Sequence, residues 1–213
     1  MIGEGRVGLY IDTSTLTICT EDGVREIDLS KDVPDFSADI AECQRIMDAA
    51  SRRANPDNYN EDGTIKNGIM VDGKRCRLRW VRTKAYNDAR NKKVNLQRVE
   101  SEQRSLQRHI LANYVLSLGD EIVVNDYPFQ YAAERRKFPE GEDKTPSGRN
   151  KKKRKKGVEV GHNAPGMLIA LIDRKLKSAG YQGVEKIKLK DIEYNTPGYR
   201  HYYAMQFYDK TVA

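Results

Sequence analysis

Residues 5–12, 15–20 and 24–29 alternate apolar with polar side chains, and short polar breaks separate them, the clearest being Glu21-Asp22-Gly23. A period of two is that of a half-buried strand, so the pattern predicts a three-stranded antiparallel meander. The period then changes. Phe36, Ile40, Cys43, Met47, Ala50 and Ala54 recur every three or four residues and predict a helix over 36–54 with one packed stripe. Residues 55–79 are broken by N-P-D-N-Y-N-E-D-G, K-N-G and V-D-G. Such turn chemistry predicts a small hairpin or irregular lobe, closing at Leu78-Arg79-Trp80. A long helix follows over 83–118, with Leu106, Ile110, Tyr114, Val115 and Leu118 in its last turns and Gly119 placed to stop it.

In D-E-I-V-V-N-D-Y-P-F, residues 120–129, Ile122, Val123 and Val124 form a continuous apolar run, as in a strand buried on both faces. It ends on Asn125 and Asp126. Residues 134–162 read as a loop, with Pro139, Gly141, Pro146 and Gly148 and a run of basic side chains. Ala164 to Ala179 is expected to be a helix that tolerates Pro165 in its first turn, with Met167, Leu168, Leu171, Ile172 and Leu176 as its stripe. Val184, Ile187, Leu189 and Ile192 mark a last strand over 183–192, and a tyrosine-rich tail follows from Tyr194 to Tyr208.

Three strands, helices, a strand, a helix and a strand is the order of a ribonuclease H-like domain. The expected fold is therefore α/β: one domain over 1–213, a mixed sheet with flanking helices, and a helical-hairpin insertion over 36–118. In that arrangement the tips of 5–12 and 120–126 meet. Two carboxylates there would hold two divalent cations for phosphodiester cleavage, with the oxygen ligands magnesium prefers.

Composition narrows the partners. A net charge of +7 and a pI of about 9.2 favour polyanions. No apolar run approaches the roughly 18–20 residues that cross a bilayer, and the N-terminus lacks the apolar stretch of a secretory signal. Cys19, Cys43 and Cys76 lie far apart without a C-x-x-C pair, against a zinc ribbon and against a disulfide framework. The expectation is a soluble cytoplasmic protein with no membrane partner.

Four stretches together carry a family resemblance: G-R-V-G-L-Y-I-D-T-S-T-L, S-R-R-A-N-P-D-N-Y-N-E-D-G-T-I-K, L-A-N-Y-V-L-S-L-G-D-E-I-V-V-N-D-Y-P-F and N-A-P-G-M-L-I-A-L-I-D-R-K-L-K. The chain resembles the RuvC-like nuclease region of TnpB (OrfB) proteins, transposon-encoded RNA-guided DNA nucleases related to type V CRISPR effectors. The N-P-D-N-Y-N-E-D-G-T-I-K stretch is the most specific part. The family's first motif, G-R-V-G-I-D-I-G-T-x-T, puts its catalytic aspartate where Tyr10 stands and a glycine where Asp12 stands. Its second motif, an apolar strand ending in a catalytic glutamate, puts that glutamate on Asn125. Its third, an R-D-x-x-x-A-like segment usually after a zinc ribbon, has no counterpart before the final Y-D-K-T-V-A.

The resemblance thus implies a nuclease-dead domain with no catalytic residue and no cofactor. It would bind guide RNA and target DNA beside another protein chain that supplies the family's N-terminal guide-RNA and target-binding lobes, which have no counterpart here. The alternative is an active magnesium-dependent endonuclease with Asp12 and Asp126 as ligands and Asp209 as a weak third. I-D-T-S-T also resembles the phosphate-binding turn of actin-like ATPases, but no glycine-rich phosphate loop accompanies it. A third reading is a protein-interaction domain whose charge serves solubility.

The expected nucleic-acid contacts are Arg149, Lys151, Lys152, Lys153, Arg154, Lys155 and Lys156 in the loop, with Lys92, Lys93, Arg104 and Arg108 on the long helix. Such residues bind backbone phosphates without reading sequence. Tyr127, Phe129 and Tyr131 are placed either to stack on bases or to pack under the basic loop. His109, His162 and His201 have no ligand spacing and read as surface or cap residues, and the tyrosine tail reads as a docking surface.

Overall fold

The meander forms as β1 (Arg6–Ile11), β2 (Thr15–Thr20) and β3 (Gly23–Asp28), each paired antiparallel with the next. A computed structural model describes residues 2–71, 74–126, 129, 160–188 and 197–210. Over these, α1 (Ser37–Ala54), a 3-10 turn (Pro56–Asn58), the hairpin β4 (Ile69–Val71) and β5 (Lys74–Cys76), and α2 (Lys84–Leu118) come next. Then follow β6 (Glu121–Asn125), α3 (Pro165–Ser178), β7 (Glu185–Ile187) and α4 (Tyr199–Asp209). The chain divides into two compact units, one of residues 1–32 and 104–213 and the other of residues 33–103.

The first unit is a five-stranded mixed sheet in the order β3-β2-β1-β6-β7. β6 joins β1 in parallel, as does β7 with β6. A parallel neighbour needs a crossover, and the long excursion between β3 and β6 provides it. Strand alternation sorts the two faces. Val7, Leu9 and Ile11 of β1, Leu16 and Ile18 of β2, and Ile122 and Val124 of β6 pack with the end of α2 and the stripe of α3 in the larger core. The opposite face carries Tyr10, Cys19 and Val123 under α4, whose Ala204 and Phe207 are fully buried. Gly8, the second glycine of G-R-V-G, lets α4 lie there. A β-carbon at this position would collide with the Ala204 carbonyl and the Tyr208 backbone.

Several expectations shift. On α2 the buried stripe is Gln107, Leu111, Ala112, Val115 and Leu116, while Leu106 and Ile110 are half exposed. The stripe is one position further along because the sheet contacts the face centred on Leu111 and Val115, a choice helical spacing alone does not make. On α3, Ile169 is buried and Met167 is 60% exposed. The insertion expected over 36–118 gives up its last turns to the sheet unit, whose core they complete. Gly119 ends α2 without a left-handed φ; its role is close approach, since a β-carbon would meet the Gly5 carbonyl. Residues 160–163, expected in the loop, are helical. The tail is not a tail: residues 199–209 are α4, entered through Gly198 at φ 78°. The rest of the loop, Tyr194 and the last-strand residues Leu189 and Ile192 lie outside the described residues.

The second unit is built on α1, with Cys43 and Met47 buried. Its turn-rich segment is held by two buried asparagines. Asn55 donates through Nδ2 to the Ser51 and Val81 carbonyls and accepts from the Val81 N–H at 2.6 Å, while Asn58 donates to the Arg79 carbonyl at 2.7 Å. Amides suit these places because each is both donor and acceptor. Asp62 caps the turn by accepting from Thr64 N–H and Oγ1, and those bonds hold its carboxyl below the ordinary range.

Candidate functional site

The tips of β1 and β6 do meet, and their chemistry is unlike that of a metal site. Asn125, buried to 2% exposure, receives the Ile11 N–H on Oδ1 at 2.8 Å and donates from Nδ2 to the Ile11 carbonyl at 2.8 Å. The side chain behaves as one more backbone unit, extending the β1–β6 ladder after β6 itself turns to β7 through Asp126 N–H and the Ile187 carbonyl. An ionised carboxylate could accept from the Ile11 N–H but would face the carbonyl with no proton to offer. Position 125 is thus matched to an amide.

Tyr10 is fully buried on the α4 side of the sheet. Its ring stacks on Tyr203 at 5.8 Å and meets Tyr199 edge-on at 5.6 Å. The place where the resemblance puts an aspartate is therefore the centre of an aromatic cluster. That cluster is what the tyrosine-rich tail builds, so Tyr199 and Tyr203 are packing groups in this unit.

Asp12 is only partly exposed and fully engaged. Oδ1 accepts from the Ser14 and Thr15 N–H groups, both at 2.9 Å, closing the β1–β2 turn. Oδ2 takes the Arg200 guanidinium from α4 through Nε at 2.8 Å and Nη2 at 2.7 Å. Burial of Arg200 works against its charge, yet the Asp12 carboxylate and then Tyr199 outweigh it and raise its pKa above the ordinary value. Asp126, one residue past the strand, is exposed. Asp209 is exposed on α4, where its charge adds to burial in pushing the Cys19 thiol up. Among the described residues no three His, Cys, Asp or Glu side chains group as a metal site. A magnesium ion at Asp12 would have to displace Arg200 and two backbone donors, so this donor set does not fit the two-metal arrangement.

The expected phosphate contacts separate into three groups. Lys92 pairs with Asp39 at 3.5 Å and Lys93 donates to Gln44 at 2.6 Å, so both serve the packing of α2 on α1. Arg104 lies 2.9 Å from His162 Nδ1, and Arg108 is partly buried one turn on, where burial and then the Arg104 charge lower its pKa. Arg149 and Lys151 to Lys156 lie outside the described residues, as do Tyr127 and Tyr131. Phe129 packs against the larger core. His201 approaches Glu26 at 3.3 Å and His109 is exposed.

Two sets of residues escaped the sequence pattern. Arg200 is 188 positions from its partner Asp12, and nothing local announces the pair. The run K-R-C-R-L-R-W-V-R-T-K, residues 74–84, was visible as six positive charges without a carboxylate, but it reads as turn and strand edge until Trp80 is seen against Tyr59. Comparison of the chain with protein-family models, with curated proteins and with solved structures gave no match.

Proposed function

We propose that this chain is a ribonuclease H-like, RuvC-like domain of the TnpB lineage that binds nucleic acid and does not cut it. The order β3-β2-β1-β6-β7, with β6 and β7 parallel to β1, agrees with the element order expected of such domains. The observation that carries the reading is the pair of hydrogen bonds between the Asn125 amide and Ile11. A position that would hold a metal-binding carboxylate in an active relative is here a strand-joining amide. Tyr10 under Tyr199 and Tyr203, and Asp12 neutralised by Arg200, support the same conclusion.

Binding follows from charge. The chain carries +7, and Arg104 and Arg108 stand one helical turn apart, a like-charged spacing that an anion relieves. In an RNA-guided complex the protein holds the duplex by its backbone while base pairing selects sequence. This chain would serve as such a backbone-holding subunit, with guide RNA, DNA and a further protein chain as partners.

The test incubates the full chain with labelled single- and double-stranded DNA and RNA, with magnesium or manganese, and reads both anisotropy and strand length. The expected result is saturable binding that weakens with salt and leaves every strand intact. Cutting that disappears in Asp12→Ala, or no binding at low salt, overturns the reading.

A further inference from the structure

Residues Lys74, Arg75, Arg77, Arg79, Arg82 and Lys84 are all exposed, and none is ion-paired among the described residues. The contrast with Lys92 on the next helix, which is held by Asp39, is direct. In the middle of this run stands Trp80, the chain's one tryptophan, 39% exposed. Its ring meets Tyr59 edge-on at 5.8 Å. The two border a cavity of about 280 Å³ with Tyr86, Met47, Val81 and Arg82. Arg52 lies over the Tyr59 ring at 5.5 Å and Arg82 over the Tyr86 ring at 5.6 Å.

The strip is rigid where it matters. Asn55 takes both the N–H and the carbonyl of Val81, and Asn58 takes the carbonyl of Arg79, so the backbone on either side of Trp80 is pinned from beneath. A preorganised aromatic ring loses little entropy on contact with a ligand. The neighbouring arginines are free to reach outward. Aromatic rings interleaved with unpaired cations are what a single strand requires, because bases stack on the rings while guanidinium groups follow the phosphates.

The cavity wall also separates this ligand from an acidic peptide. Asp48 lines it and accepts a hydrogen bond from Gln44 at 2.8 Å. A carboxylate there repels an entering acidic side chain but accepts from the amino group of a base. A duplex, with its bases stacked inside, could offer the arginines phosphates but could not fill the cavity.

We propose that the 33–103 unit carries a binding site for single-stranded nucleic acid, with a base seated against Trp80 and Tyr59 and the flanking phosphates on Arg75, Arg77, Arg79 and Arg82. The site deepens the function proposed above and rests on it for the general affinity toward nucleic acid. It assigns that affinity to a part of the chain remote in sequence from the basic loop.

Trp80 makes the test internal to the protein. Single-stranded RNA, single-stranded DNA of the same sequence and the blunt DNA duplex are each titrated into the full chain, following tryptophan emission and the anisotropy of the labelled strand. Saturable quenching by one or both single strands, and little by the duplex, is the expected result; the two single-strand arms decide whether RNA or DNA is preferred. Trp80→Ala is expected to weaken binding about tenfold. The triple change Arg75→Ser, Arg77→Ser, Arg79→Ser, at exposed positions, is expected to lower the salt slope by roughly two units. Strand binding with unquenched Trp80 and an unaltered triple variant overturns the site but leaves the proposed function standing. No binding of any strand overturns both.

Discussion

The tip of β1 and β6 and the strip from Lys74 to Lys84 have opposite relations to their charges and rings. At the tip three side chains are engaged internally: Asp12 by Arg200 and two backbone N–H groups, Asn125 by Ile11, and the Tyr10 ring by two further tyrosines. On the strip the backbone is tied down, but the six cations are exposed without an ion pair among the described residues, and Trp80, though packed against Tyr59, is 39% exposed. Groups already satisfied within the fold have little left to offer a ligand, whereas unsatisfied groups on a fixed backbone do. The place that the family resemblance marks for catalysis is thus occupied by packing and internal hydrogen bonds, and the binding surface proposed above lies where the sequence suggests only a turn.

Four substitutions and one labelling experiment test that contrast. The largest effect is expected from Tyr10→Asp, which removes a buried ring and places a carboxylate beneath α4. It should cost about 4–5 kcal/mol and abolish cooperative urea unfolding, rather than create a nuclease. Stable folding of this variant would show that the tip tolerates a carboxylate at position 10. Asn125→Asp is next, at about 3 kcal/mol near neutral pH. Its loss should shrink in acid, where a protonated carboxyl regains a donor for the Ile11 carbonyl, and urea midpoints at two pH values check this.

Arg200→Ala should cost about 1–2 kcal/mol and weaken the near-ultraviolet signal of the stacked tyrosines, since α4 loses its anchor on Asp12. Asp173 offers a pH handle. Its hydrogen bond from Lys177 first, and the Val184 N–H with it, outweigh burial and hold its carboxyl below the ordinary range. A depressed folded-state pKa stabilises above the unfolded value, and that contribution is lost as the pH falls through the folded one. Asp173→Asn should therefore be less stable than wild type at neutral pH by about 1 kcal/mol, with the two curves closing below about pH 3.9. The smallest structural perturbation is thiol labelling. Exposed Cys76, at the end of β5 within the strip, should react at once in the native protein. Buried Cys19 and Cys43 should wait for unfolding, Cys19 most clearly because burial and Asp209 push its thiol up. Equal rates would contradict the packing of α4 on β2.

Much of the framework was legible in the chain. Period-two alternation located β1, β2 and β3 within a residue or two, and the run Ile122-Val123-Val124 located β6. The stripe through Cys43 and Met47 located α1. These signals are local, and local periodicity is what a sequence carries most directly. The face of α2 was misread by one position because two adjacent stripes, one through Leu106 and Ile110 and one through Leu111 and Val115, are both apolar enough. Contact with the sheet chose between them. For α4, tyrosines scattered around the helix leave no single apolar stripe to read.

At the candidate site the division is sharper. The sequence by itself determined that a tyrosine and an asparagine stand at positions 10 and 125, where the family resemblance puts carboxylates, and that the chain carries excess positive charge. Only the tertiary structure decided what those residues do instead. Asn125 and Ile11 are 114 positions apart, and Asp12 and Arg200 are 188 apart. A hydrogen bond or ion pair acts over a few ångströms of space, and only the folded sheet and the helix laid over Gly8 bring those groups within that distance.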